Sequence, residues 1–222
     1  MSFPTTNWTM LARASLNGDT TGRVALEDMC RNYWSPVRAA VMRRWPWPGE
    51  EDDLTQDFFV HLMERGTLRR ADRERGRFRS YLLGALKFYL SHRLEAAHAA
   101  KRGGGRKAEE LQEWMAPTAE GDPDFDRAWA VEILLRAIGR VETEVGKDSF
   151  SVLRRFLPGT EAGLSYEEAA KLSGRPVGTV KSDVSRLRKR LRELIRLEVA
   201  LTVAAPHEID GEVAYLHQML RQ

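Results

Sequence analysis

The side chains best suited to chemistry crowd one stretch, residues 164–195, LSYEEAAKLSGRPVGTVKSDVSRLRKRLRELI. Lys181, Ser182, Ser185, Arg186, Lys189 and Arg190 recur at helical spacing, so they share one face of a helix. Between Lys181 and Arg196 seven residues are basic and two acidic. Amines, guanidinium groups and hydroxyls in that array can grip phosphates and hydrogen-bond to base edges. They are the side chains of recognition rather than of bond making. An ordinary helical hairpin with a solvated charged face is the competing reading, and charge alone does not separate the two.

The elements that must carry this face favour nucleic-acid binding. Ser165 and Glu168 have the Ser-x-x-Glu spacing of a capping box behind Leu164, so a helix starts there. Ala169, Ala170 and Leu172 are read as its inner face, small enough for a second helix to approach. Gly174 suits a left-handed helix end, and Pro176 pre-sets the first turn of the next helix. Val177, Val180, Val184, Leu187, Leu191 and Leu194 then recur every three or four residues, one buried stripe opposite the basic face. Cap, turn and polarity together describe a helix-turn-helix, whose second helix enters the major groove.

The totals leave room for one large or two small domains in 222 residues. Net charge is only +3, but it is unevenly placed. Glu50 to Asp57 holds five acidic residues and no basic one, whereas Arg69 to Lys107 holds twelve basic and three acidic. That asymmetry suggests one protein partner and one polyanion. Cys30 is the only cysteine, which excludes an intramolecular disulfide and a multi-cysteine zinc site; its apolar helical context reads as core. His61, His92, His98, His207 and His217 lack paired metal-ligand spacing, and no Gly-x-Ser-x-Gly or His-Glu-x-x-His motif occurs. No enzyme and no cofactor is expected. With no membrane-length apolar run and no signal-peptide core, the expected location is the cytoplasm.

Along the chain the pattern is all-α, with no strand or hairpin signal. A short helix is expected over 5–17, and a longer one over Val24–Trp45 with a kink or break near Ser35, before Pro36. Trp45-Pro46-Trp47-Pro48-Gly49 reads as a rigid loop. DLTQDFFVHLME, 53–64, is amphipathic, and the acids that open it suit a helix N-terminus as well as a basic partner. A polar, arginine-rich loop over 66–77 precedes a helix over 78–99. There Phe78, Tyr81, Leu82, Ala85, Phe88 and Tyr89 stand among Arg77, Arg79, Lys87 and Arg93; such rings are core or, among cations, a platform for single-stranded nucleic acid. KRGGGRK, 101–107, reads as a basic exit from the domain. Residues 108–124, with Pro117, Gly121 and Pro123, read as a linker; helix resumes over Phe125–Val141 and near Phe150–Phe156. The second helix of the pair continues to about Val203. After Pro206 a last amphipathic helix carries Ile209, Val213, Leu216 and Leu220, either packed on the helix-turn-helix domain or occluding it as a regulator.

Three motifs in this order resemble those of bacterial sigma factors. DLTQDFFVHLMER is similar to the helix that docks on the RNA polymerase clamp, and GRFRSYLLGALKFYL to the segment that opens and reads the −10 promoter element. LSYEEAAKLSGRPVGTVKSDVSRLRKRL resembles the helix-turn-helix that reads the −35 element. The layout resembles the extracytoplasmic-function type, and FPTTNW, KRGGG and the long tail resemble a subgroup with a C-terminal extension. The resemblance implies two small helical domains joined by a flexible linker: a region 2-like domain over 1–107, a linker over 108–124, a region 4-like domain over 125–200 and a helical extension over 201–222. It implies clamp contacts with the β′ subunit of core RNA polymerase from Asp53, Gln56, Asp57 and Phe58. It implies −10 contacts from Arg77, Arg79, Tyr81, Lys87 and Arg93, and −35 contacts from Thr179, Lys181, Ser182, Ser185, Arg186 and Lys189. An anti-sigma protein is a partner usual in that family. The chain departs from the family at Phe88, often Asn, at His92, often Asp, and at Asp183, often Arg; an acid at 183 would repel phosphate or accept from a cytosine amino group. The competing function is a helix-turn-helix repressor or activator that never binds core polymerase.

Overall fold

A computed structural model of the chain describes residues 20–64, 77–102, 122–158, 163–203 and 205–221, and the expected helix over 5–17 and nearly all of the 66–77 and 103–121 segments lie outside them. The described residues are all-helical, without a strand. In chain order the helices are α1 (Thr20–Arg44), α2 (Glu51–Glu64), α3 (Phe78–Arg102), α4 (Pro123–Val145), α5 (Lys147–Leu153), α6 (Tyr166–Ser173), α7 (Val177–Ala200) and α8 (Ile209–Met219). Two compact units contain them: residues 1–132 with 200–222, and residues 133–199. No helix among the described residues is long and apolar enough to cross a membrane.

In the first unit, apolar residues three and four apart on α1, α2 and α3 meet in one core. Val37, Val41, Phe58, Leu62, Leu82 and Leu86 are all essentially inaccessible there. Of the kink or break expected near Ser35, the break does not occur: α1 runs unbroken through Pro36. A mid-helix proline forfeits a backbone hydrogen bond, at about 3 kcal/mol. Tyr33 before it and Val37, Ala40 and Val41 after it are all buried, and that packing outweighs the loss. The Trp-Pro-Trp-Pro-Gly loop is a turn as expected. Gly49 takes φ 97°, Trp45 is buried edge-on to Trp47, and its indole N–H donates to Glu50 at 2.9 Å.

α4 starts two residues earlier than its apolar pattern suggests. Asp122 is buried and caps it, accepting the Phe125 N–H at 3.2 Å, and Pro123 fills the first helical position. Arg44 closes over the same carboxylate at 2.7 and 3.0 Å. Phe125 and Trp129 are thereby fixed in the core of the first unit.

The last helix, α8, also belongs to this unit, not to the one holding the helix-turn-helix, which corrects one reading of the 209–220 stripe. Leu216 and Met219 are buried, and so is the carboxylate of Glu212. Glu212 accepts a hydrogen bond from Arg79 at 2.6 Å and lies 2.9 Å from the Arg77 guanidinium. Arg79 also donates to Asp126, whose other oxygen accepts the Tyr215 hydroxyl at 2.7 Å. The Arg79 guanidinium sits 4.4 Å from the Tyr215 ring centre and 5.2 Å from that of Trp129. Burial works against its charge, but the bonds to Glu212 and Asp126 prevail and hold its pKa above the ordinary arginine value.

Cys30 is half-buried on α1, and burial pushes its thiol from 9.0 up to about 11. At pH 8 the thiolate is therefore scarce. Alkylation by iodoacetamide should be about 100-fold slower than for a thiol of ordinary pKa, a two-unit shift, and unfolding in urea should restore the ordinary rate. A native rate equal to the unfolded one would refute the buried placement.

The second unit contains the rest of α4, α5, α6 and nearly all of α7. Gly146, at φ 85°, turns the chain between α4 and α5. Ile133, Ala137 and Val141 on α4, Phe150 and Leu153 on α5, and Val184, Leu187, Leu191 and Leu194 on α7 are buried together.

Candidate nucleic-acid interface

The turn between α6 and α7 is built as the residue types require. Ser165 accepts the Glu168 N–H at 3.2 Å while the Glu168 carboxylate accepts the Ser165 N–H at 2.9 Å, a complete capping box. The bonds to Ser165 also hold the Glu168 carboxyl below its ordinary value. Ser165→Ala should cost the second unit about 1 kcal/mol, read as a lowered unfolding midpoint of the full chain; no change would show the box to be idle. Gly174 ends α6 at φ 64°, and the Arg175 N–H reaches back to the Ala170 carbonyl at 3.1 Å. Pro176 then accepts the Thr179 and Val180 N–H groups at 2.9 and 3.1 Å, opening α7.

On α7 the stripe is buried from Val180 through Val184, Leu187 and Leu191 to Leu194. Ala169 is the buried contact of α6, whereas Leu172, expected on its inner face, is 64% exposed. α6 is only eight residues long, and its inner face is narrower than the apolar pattern implied.

The opposite face of α7 exposes Thr179, Lys181, Ser182, Ser185, Arg186 and Lys189, the six residues expected to meet the −35 element. Ser182 donates to the Gly178 carbonyl at 3.0 Å, and the Lys181 amine stands 5.5 Å from the Tyr166 ring, itself stacked on Phe156. Two arginines of the same stretch serve the fold instead. Arg188 donates to the Phe156 carbonyl at 2.9 and 3.1 Å. Arg190, read above as part of the basic face, is clasped by Glu144 at 2.7 and 2.8 Å and by Glu193 at 3.1 Å. Asp183 is the one acid within the face. It accepts Arg175 at 3.1 Å and Arg186 at 2.5 Å.

Residues 161–191 match the family model of sigma-70, region 4. No curated protein and no solved structure matches the chain. The region 4 match covers the capping box, the turn and α7 as far as Leu191, so it contains all six exposed residues of that α7 face.

In the first unit the expected site residues divide. On α2, Asp53, Gln56 and Asp57 are exposed, but Phe58 is 1% exposed and packs on Tyr89 and Phe59. Phe58 is an anchor of α2, not a residue a partner can touch. On α3, Arg79 is likewise withdrawn, only 6% exposed and saturated by Asp126 and Glu212; a guanidinium so enclosed offers nothing to DNA. Its partners lie 47 and 133 residues away, so no local pattern could have revealed this. Arg77 and Tyr81 are half-buried. Lys87 is half-buried too, and burial together with the positive Arg44 lowers its pKa. Arg93 is exposed, pairs with Asp57 at 3.1 Å and lies 6.0 Å from the Tyr89 ring centre.

The two departures on α3 stand side by side. Phe88, 59% exposed, meets His92 edge-on at 4.4 Å. With His61, Tyr89 and Arg93 they line an open groove of about 500 Å³.

Proposed function

We propose that the chain is a sigma factor of the extracytoplasmic-function type: it binds core RNA polymerase, recognises −10 and −35 promoter elements and helps melt DNA. The observation that carries this reading is the region 4 match over 161–191, laid on a capped helix-turn-helix with six exposed polar and basic residues on one helix face. Thr179, Lys181, Ser182, Ser185, Arg186 and Lys189 are the −35 contacts in this reading.

The first unit supplies the other two functions. Asp53, Gln56 and Asp57 form the exposed acidic face of α2 offered to the polymerase clamp, with Phe58 holding the helix in place behind them. Exposed rings and a cation at Phe88, His92 and Arg93 suit an unstacked strand, because base stacking on aromatic groups is worth about 1–3 kcal/mol per base. The Asp57–Arg93 pair is half-exposed on both sides, so it contributes at most about 1 kcal/mol and each group can exchange its partner for another. No step of this function makes or breaks a covalent bond, so the chain is not read as an enzyme.

Run-off transcription with purified core polymerase on a library of bacterial promoters tests the proposal. Addition of the full chain should create discrete new start sites preceded by a shared pair of motifs. Duplex binding without new transcripts and without co-purification of core polymerase would instead identify a repressor or activator.

A further inference from the structure

We infer that Asp183 is a positioning residue that fixes Arg186 for readout of a guanine in the major groove, an inference that rests on the −35 reading of α7. The Asp183 side chain is 14% exposed and lies at the root of the recognition face. One of its oxygens takes Arg186, one turn along the helix, at 2.5 Å. The other takes Arg175, from the turn before α7, at 3.1 Å. Arg175 is fastened in addition to the Ser149 hydroxyl of α5 at 3.3 Å. The carboxylate is thus held from behind while it holds a guanidinium in front.

Arg186 is 76% exposed, and its hydrogen bond to Asp183 engages one terminal nitrogen, Nη2. The remaining N–H groups point to no acceptor within α7. A free arginine side chain must surrender its rotamer freedom to read a base; one already braced surrenders less. The base whose edge offers two acceptors to such a fork is guanine, through O6 and N7. Arg175, 47% exposed, extends the same cationic patch.

A competing use of Asp183, accepting from a cytosine amino group, would have to use the second lone pair of an oxygen already held by an arginine, on a side chain only 14% exposed. Simple repulsion of phosphate is a third possibility, and it makes the opposite prediction about specificity.

Selection from a randomised duplex DNA library by the full chain, with and without core polymerase, separates these roles. The wild-type chain should enrich one guanine whose preference disappears in Arg186→Ala, a change of roughly 5- to 150-fold. Asp183→Asn should reduce the same preference while binding to unrelated duplex holds or rises, since a negative charge has been removed; Asp183→Glu should restore part of it. Loss of guanine preference together with undiminished general affinity is a result that a folding defect would not give, and an unchanged unfolding midpoint would accompany it. A guanine preference that survives Asp183→Asn, or a cytosine preference that vanishes in its place, overturns the inference and leaves the −35 reading standing. Failure of the wild-type chain to select any sequence in either condition overturns the −35 reading, and the inference with it.

Discussion

Replacing Glu212 with alanine should lower the stability of the first unit by up to about 3–5 kcal/mol, the scale for a buried charge that loses a partner. The carboxylate is 1% exposed and neutralises Arg79, which is almost as deeply enclosed, and Arg77, which is half-buried. Without it, Arg79 keeps Asp126 but loses one of its two carboxylates, between the Trp129 and Tyr215 rings. Urea titration of the full chain, followed by tryptophan fluorescence, gives the comparison; Trp129 reports directly on this cluster. Glu212→Gln keeps the shape and one acceptor and should fall between the two. A variant within about 0.5 kcal/mol of wild type would show that the cluster is not a buried ion network at all.

Removing the cations of the recognition face should have an equally large effect on binding. Lys181, Arg186 and Lys189 are exposed, and their removal costs α7 nothing in its buried stripe, so the fold should persist. If Lys181 and Lys189 each neutralise one phosphate while Arg186 reads a base, the triple alanine variant should reduce the slope of log affinity against log salt by about 1.8, or 0.9 per phosphate contact. At 0.15 M salt that amounts to roughly a 30-fold loss of affinity for duplex DNA, to which the lost Arg186 base contact adds on the selected sequence. Fluorescence anisotropy across a salt series reads both quantities. An unchanged slope would mean that the phosphates are held elsewhere and that this face is not the interface.

The parts of the molecule legible in the sequence are those set by neighbours a few residues apart. The capping box, the left-handed Gly174, Pro176 and the stripe on α7 are all local rules, and each is found where those rules place it. Asp122-Pro123 obeyed the same rules and was obscured only by the glycine and prolines around it, which read as linker. Pro36 was misleading for a different reason: the local cost is real, but buried neighbours on both sides of it override a propensity. Arg79 and Phe58 show the other limit. A basic residue among aromatic rings looks the same in sequence whether it faces solvent or a buried carboxylate from the far end of the chain, and an aromatic beside exposed acids can equally be the anchor beneath them.

The position of Glu212 in the chain also orders events during synthesis. A ribosome reaches it 133 residues after Arg79, a delay of roughly 7–27 s at 5–20 residues per second. Asp126 arrives first and can hold Arg79 from one side, so the nascent unit waits with half of its ion network assembled. A transcript broken or a ribosome stalled inside the helix-turn-helix therefore yields a product whose first unit is never closed. Such a product should be marginally folded and open to proteolysis, so that the α2 face proposed to meet the polymerase is presented in stable form only by chains that also carry the α7 face proposed to read DNA.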